Sequence, residues 1–362
     1  MKKMVIEKEK LKHNLDIIKN MTSSTIIAVL KGNGYGLGIL DYARFLTENS
    51  VNYFAVSELD DAILLRESGF ESKILLLTST SVEEEAEAIV KYNIMPTVGS
   101  QNSALAINEA AKRLDKIADI HLKIDTGFGR FGFLWDKWDE ISEFLKDLKN
   151  IRIEGTYSHL SFPFEKKPKS THIQFEKYRK CIDGLKANGI NPGILHIANS
   201  CTFLRFPSMH LDAVRIGSAL LGRIPIENRY DLYKIAYLKS NIVEVKDLPA
   251  NHFIGYANTF KTKRPTRIGI VPVGYMDGYG VEKSRDTFRF RDILRYVYHD
   301  LKTFKKKIYI KLGDKKAVPV LGRISMFNIV VDLTGTDAKL GDEVFMEINP
   351  ILIESTVRRE FI

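Results

Sequence analysis

The chain has 362 residues, of which 44% are hydrophobic and 27% charged, an ordinary globular balance that excludes a disordered or fibrous protein. A net charge of +9 over this length does not by itself imply nucleic acid, and two cysteines, Cys181 and Cys201, cannot make a disulfide framework, so two reduced thiols are expected. With no signal-peptide core and no run of about 18 apolar residues, the sequence reads as a soluble cytoplasmic protein with no membrane partner. At about 100–200 residues per domain it has room for two or three domains.

In chain order, the first 220 residues carry eight short apolar runs: TIIAVLK (25–31), YFAVS (53–57), KILLLT (73–78), MPTVGS (95–100), IHLKID (120–125), IEGTYSHL (153–160), ILHIANS (194–200) and AVRIGSALLG (213–222). They are near-continuous rather than alternating, the pattern of strands buried on both faces of a parallel sheet. Amphipathic helical stretches lie between them, at 40–49, 59–69, 82–92, 103–114, 139–150 and 174–189. Gly69 and Gly189 close two of these, as helix C-termini favour. Only FLRFPSM (203–209) separates the last two strands. Eight strands alternating with helices is the count of a (β/α)8 TIM-type barrel; a doubly wound open sheet is the alternative. After residue 230 the texture changes to NIVEVKDL, FIGYANTF, RIGIVPVGY, KIYIKL, AVPVLGR, NIVVDLT and EVFMEI. These short strands are interrupted by one helix at 289–302, and they predict a second, mostly antiparallel β domain. The boundaries expected are 8–230 for the barrel and 231–362, joined by an N-terminal strand at 1–7, for the β domain.

Active sites of such barrels form at the C-terminal ends of the strands. Those ends read Lys31, Ser57, Thr78, Ser100, Asp125 with Arg130, His159, Asn199 with Ser200, and Arg215 with Gly217. No carboxylate cluster and no Cys/His spacing suits a metal, so none is expected. Lys31 ends an apolar strand just before GNGYGLG. A partly buried lysine there would have a depressed pKa and a usable amine, and the glycines would let backbone approach a ligand. A lysine snorkelling before a Gly-rich turn fits the same spacing. Arg130, after Gly127 and Gly129, points into the barrel mouth or lies on a surface turn. His159 alone reads equally as a core histidine. HIANS and RIGS offer hydroxyls and backbone N–H groups suited to an anion.

Together these segments resemble a family. AVLKGNGYGLG (28–38) is similar to the lysine segment of the alanine racemases, fold-type III enzymes that use pyridoxal phosphate (PLP). KIDTGFGRFGF (123–133) resembles their KxDTGMGRxG segment. TYSHL, HIANS, LRFP, VRIGSALLG, PVGYMDGY, GRISM and VDLT follow in the family's order, and the resemblance runs to residue 348. It implies a PLP-dependent homodimer that racemises a free amino acid, alanine by default. Lys31 matches the Schiff-base lysine and one catalytic base; Tyr275, contributed by the partner subunit, matches the other. Tyr35 and Ser200, with Gly217 and Ser218, match the phosphate site, and Asn199 joins the cofactor-binding set. Arg215 matches the arginine facing the pyridine nitrogen and His159 the histidine beside it. Arg130 matches the arginine near the cofactor's phenolic oxygen and the substrate carboxylate, which the backbone N–H of Met326 also meets. Lys123 matches a position carbamylated in some members.

Two departures bear on substrate. Phe327 stands where the family usually has an aspartate after the methionine, and Val357 where it has a tyrosine reaching the phosphate. Phe327 therefore enters the substrate-binding set, and racemisation of serine or lysine, or a decarboxylase of this fold, stays open beside alanine. A non-catalytic PLP-binding protein would lack the β domain. Residues 281–316 carry a net charge of +7, read as a solvated face of the β domain rather than a specific nucleic-acid site.

Overall fold

The computed structural model describes residues 2–304, 306–313 and 316–362. The chain divides into two compact units, Glu9–Ile235 and, together, Met1–Lys8 with Ala236–Ile362. Strand β1 is Lys3–Ile6. The barrel strands follow as β2 Thr25–Val29, β3 Tyr53–Val56, β4 Lys73–Leu76, β5 Met95–Val98 and β6 Ala118–Asp125. After a two-residue β7, Phe133–Leu134, come β8 Ile151–Tyr157, β9 Ile194–Asn199 and β10 Ala213–Ile216.

All eight barrel strands pair in parallel, and β5 pairs with β6 to close the ring. The expected closed barrel is the one formed, not the open sheet. Helices Ile39–Glu48, Leu59–Glu67, Glu83–Lys91, Gln101–Arg113, Trp138–Lys146 and Lys169–Ala187 fall on the amphipathic stretches. A further helix, Lys8–Asn20, was not apparent in the sequence pattern; it buries Leu11, Leu15 and Ile18 at helical spacing. Alternate side chains of the strands fill the barrel interior, including Ile27, Val29, Tyr53, Ala55, Leu75, Met95 and Ala213. Cys181 and Cys201 are both free and buried.

The second unit builds one nine-stranded sheet around β1. Its strands are β11 Ala236–Asn241, β12 Glu244–Leu248, β15 Thr266–Val271, β16 Tyr309–Leu312, β17 Lys316–Leu321, β18 Ile329–Asp332, β19 Glu343–Glu347 and β20 Arg359–Phe361. FIGYANTF is not one strand. It is a hairpin of β13 Phe253–Ile254 and β14 Phe260–Lys261, broken by a turn in which Gly255, Ala257 and Asn258 take left-handed backbone angles. The α-helix Phe290–Thr303 turns Asp292 inward, held by Arg289 and Arg295, and leaves Phe290, Leu294 and Leu301 exposed. Val357 is buried in this unit.

Candidate active site

A cavity of about 550 Å³ opens at the C-terminal ends of the barrel strands, lined by Lys31, Tyr35, Lys123, Arg130, His159, Asn199, Ser200, Arg215, Gly217 and Ser218. A more open groove of about 1240 Å³ lies at the opposite strand ends, beside Thr25, Tyr53 and Lys73. Lys31, Lys123, His159 and Arg215, four cationic or potentially cationic groups whose pKa values are all lowered, line the smaller cavity, and they, not volume, mark the site.

Lys31 follows β2 and begins a turn wound left-handed: Gly32, Asn33, Gly34 and Tyr35 have φ of 63°, 52°, 64° and 54°. Two of the four are glycines, which take such angles at no steric cost, and asparagine tolerates them better than most residues. Asn33 Oδ1 anchors the turn by accepting the N–H of Ile39 at 2.9 Å. Lys31 is an exposed residue on the open cavity, with its amine partly enclosed as its strand-end position suggested. The protein around its amine, and then the Arg130 guanidinium, still hold it below the ordinary lysine pKa.

The anion-type pocket is built around the Ser200 hydroxyl. Ser200 Oγ accepts the N–H groups of Gly217 at 3.0 Å and Ala219 at 3.3 Å. Burial pushes the Tyr35 phenol up to about 12, so it stays a donor. Asn199 Oδ1 accepts from the N–H of Cys201 and Thr202, capping the short helix Ser200–Arg205. Its carbonyl oxygen is therefore a cap that fixes Ser200. Ala219 is buried and does not line the cavity; its N–H, not apparent from sequence, acts only by holding Ser200.

Arg215 is 3% exposed and, among the described residues, meets no carboxylate. Its Nη1 and Nη2 donate to His196 Nδ1 at 2.7 Å, to the carbonyls of His196 and Ile197, and to the carbonyl of Ser158 at 2.8 Å. Its guanidinium carbon sits 4.9 Å from the Tyr157 ring centre, and Lys123 Nζ sits 4.0 Å from the same centre. Burial, then Arg215 and Arg130, drive the Lys123 amine well below the ordinary lysine value. Burial and the surrounding cations likewise keep His159 uncharged at neutral pH. Arg130 is exposed, stacked 4.7 Å from the Phe128 ring, which meets His159 edge-on at 5.2 Å. Asp125 shapes the preceding turn by accepting from the N–H groups of Gly127, Phe128 and Gly129. Ser100, a strand-end candidate, is the N-cap of helix Gln101–Arg113 and does not line the cavity.

In the other unit, the motifs GYMDGY and GRISM are laced together. The N–H of Tyr275 donates to the Ser325 carbonyl and that of Met276 to the Met326 carbonyl, both at 3.1 Å. Asp277 accepts from the Gly274 N–H at 3.0 Å and pairs with Lys2 at 2.7 Å. This presents Tyr275, Met326 and Phe327 at the surface, 45%, 46% and 50% exposed, with Lys2 Nζ 5.6 Å from the Phe327 ring centre.

A closed parallel barrel with a depressed amine, hydroxyls placed for an anion and a buried arginine in one cavity has the make-up of an enzyme site. The alanine racemase N-terminal domain model matches residues 6–225 and the C-terminal domain model residues 235–351. Alanine racemase of Clostridium tetani is 36% identical over 349 residues, covering 94% of this chain and 84% of the relative. That of Methanococcus maripaludis is 33% identical, covering 94% and 87%. The structure of alanine racemase from Clostridium difficile 630 superposes with a TM-score of 0.87 at 29% identity, covering 100% of this chain and 95% of the other. The chain belongs to the alanine racemase family.

Proposed function

We propose that the chain racemises alanine with pyridoxal phosphate as cofactor, working as a cytoplasmic homodimer. The observation that carries this reading is the meeting, in one cavity, of the depressed Lys31 amine with Tyr35, Ser200 and Gly217. The residues fit the cofactor. The absent Cβ at Gly217 leaves room for the Tyr35 hydroxyl, and Ser200, whose oxygen accepts two N–H groups, keeps its own proton to donate, so the two hydroxyls are donors for a phosphate. Arg215, which can only donate, suits an unprotonated ring nitrogen. The free, buried thiols support a reducing compartment.

Pyridoxal phosphate, when bound, supplies an electron sink for the negative charge left at Cα. The chain does the rest. Lys31 Nζ, more readily uncharged than an ordinary lysine, takes or returns the Cα proton on one face of the substrate. Tyr275 Oη, presented by a second copy of the chain, does so on the other. Arg130 and the Met326 N–H hold the substrate carboxylate. The alanine racemase of Clostridium difficile 630 has been solved in complex with cycloserine, and the same compound should bind this chain.

The test follows optical rotation and deuterium uptake at Cα with the PLP-loaded protein and L- or D-alanine, then serine, lysine and a large apolar amino acid. Fastest turnover is expected on alanine. Release of carbon dioxide would convert the reading to a decarboxylase, and silence on every amino acid would overturn it.

A further inference from the structure

A continuous chain of hydrogen bonds crosses the barrel interior away from the cavity. Arg215 Nη1 meets His196 Nδ1 at 2.7 Å, His196 Nε2 meets His121 Nδ1 at 2.9 Å, and His121 Nε2 meets Tyr53 Oη at 2.6 Å. Tyr53 Oη lies 3.8 Å from Met95 Sδ. All four linked residues are enclosed: Arg215 is 3% exposed, Tyr53 5%, and the two histidines 0%.

The direction of every proton follows from the first link. A guanidinium has donors and no acceptor, so His196 Nδ1 must be bare. A neutral imidazole then carries its proton on Nε2 and donates it to His121 Nδ1. His121 in turn carries its proton on Nε2 and donates it to Tyr53, whose own hydroxyl proton is left for the methionine sulfur. Burial and the neighbouring cations keep both rings uncharged, which agrees with one proton per ring.

The barrel is shaped around this chain. The ladder between β6 and β8 shifts register at His121, and that between β9 and β10 shifts between Ala213 and Arg215. Such irregularities re-aim side chains. A Cβ on Gly155 would stand 2.5 Å from His121 Cε1, so the ring occupies the space that glycine leaves. His196 stacks on Tyr157 at 4.8 Å and 9°, fixing its plane.

We infer that Tyr53 and His121 are positioning residues for Arg215. Arg215 fixes the order of the protons, and Tyr53, accepting from His121 Nε2 with its own proton turned to Met95 Sδ, anchors the far end, so both rings are held in the tautomers that leave a bare His196 nitrogen for the guanidinium. With the opposite tautomers, an N–H would face an N–H at Arg215, and the guanidinium would be displaced. The terminal nitrogens of Arg215 are engaged by this chain and three carbonyls, so Nε–H is the donor left for a ring nitrogen in the cavity. This inference rests on the cofactor reading above for its use, but not for its existence.

The primary test is nitrogen NMR of 15N-histidine-labelled, cofactor-loaded protein, with His121→Gln and His196→Gln assigning the two rings. Both are expected neutral with protonated Nε2 and bare Nδ1. A proton on Nδ1 of either ring, or on both nitrogens of one, overturns the chain. Tyr53→Phe supplies the second measurement. It is expected to lower kcat by about tenfold, the low end of effects from misplaced catalytic groups, with KM unchanged and the visible band of the cofactor shifted. Parent-like kcat and band would remove the positioning role. Should Tyr53→Phe fail to fold, the parent's resonances still decide. Wrong tautomers in an active racemase would sink this inference alone; correct tautomers in a protein inert toward amino acids would sink the functional reading alone.

Discussion

The hydroxyl of Tyr35 fills the space that a β-carbon on residue 217 would need. Glycine at 217 is thus required by a side chain 182 positions earlier in the sequence, at the point where Ser200 orders the neighbouring N–H groups. Gly217→Ala should push Tyr35 out of the cradle and weaken PLP binding by at least ~10-fold, equivalent to about 1.4 kcal/mol. Titrating the apoprotein with cofactor by visible absorbance checks this, with circular dichroism confirming the fold. Parent-like affinity would take Tyr35 out of the phosphate site.

Lys123 gives a pH signature. Its amine is enclosed, and burial is the leading cause of its lowered pKa. Between that depressed value and the ordinary 10.5, the unfolded chain binds a proton here that the folded protein does not. Stability of the apoprotein therefore rises with pH across that window and is reduced below it. Lys123→Met should raise the melting temperature at pH 7 by ~2–4 °C and flatten the rise between pH 7 and 10. A variant that melts lower at pH 7 would contradict the assignment.

Tyr275→Phe keeps the ring and the backbone bonds of its turn, so cofactor binding should stay intact. Racemisation should slow by at least ~100-fold, the low end for losing an acid–base group, and unequally for the two enantiomers. Equal, near-normal turnover in both directions would remove Tyr275 from proton transfer.

At Phe327 the ring shares Lys2 with Asp277. Phe327→Asp would give Lys2 a second carboxylate and remove an exposed apolar surface. The expected result is a change of ~10-fold in the ratio of kcat/KM between alanine and a large apolar amino acid, with cofactor affinity unchanged. Constant ratios across the substrate panel would show that this position has no part in specificity.

The barrel was legible because strands buried on both faces must be apolar throughout, and Lys31, Arg215 and Ser200 stood out as polar residues at their ends. The features the sequence concealed depend on partners distant along the chain. His121 and His196 look like isolated core histidines, since their roles come from each other and from Arg215, and two register shifts disturb the simple alternation of strand side chains. The left-handed turn at Gly32–Tyr35 showed only as a cluster of glycines. Strand Ala236–Asn241 was missed because its buried face alternates with residues such as Lys239. The helix at Phe290–Thr303 was visible from its periodicity, but periodicity does not say which side turns inward.

Strand β1 lies between β11 and β20 in its sheet, antiparallel to one and parallel to the other. During synthesis the residues of β1 emerge before both of their neighbours, one of which follows after residue 235 and the other only with residues 359–361. The barrel, contiguous from Glu9 to Ile235, holds all its strands long before that. Nascent chains should therefore pass through a stage with a closed barrel and an incomplete sheet. A ribosome stalled before Arg359 would hold β1 as a bare edge, open to pairing with the wrong chain.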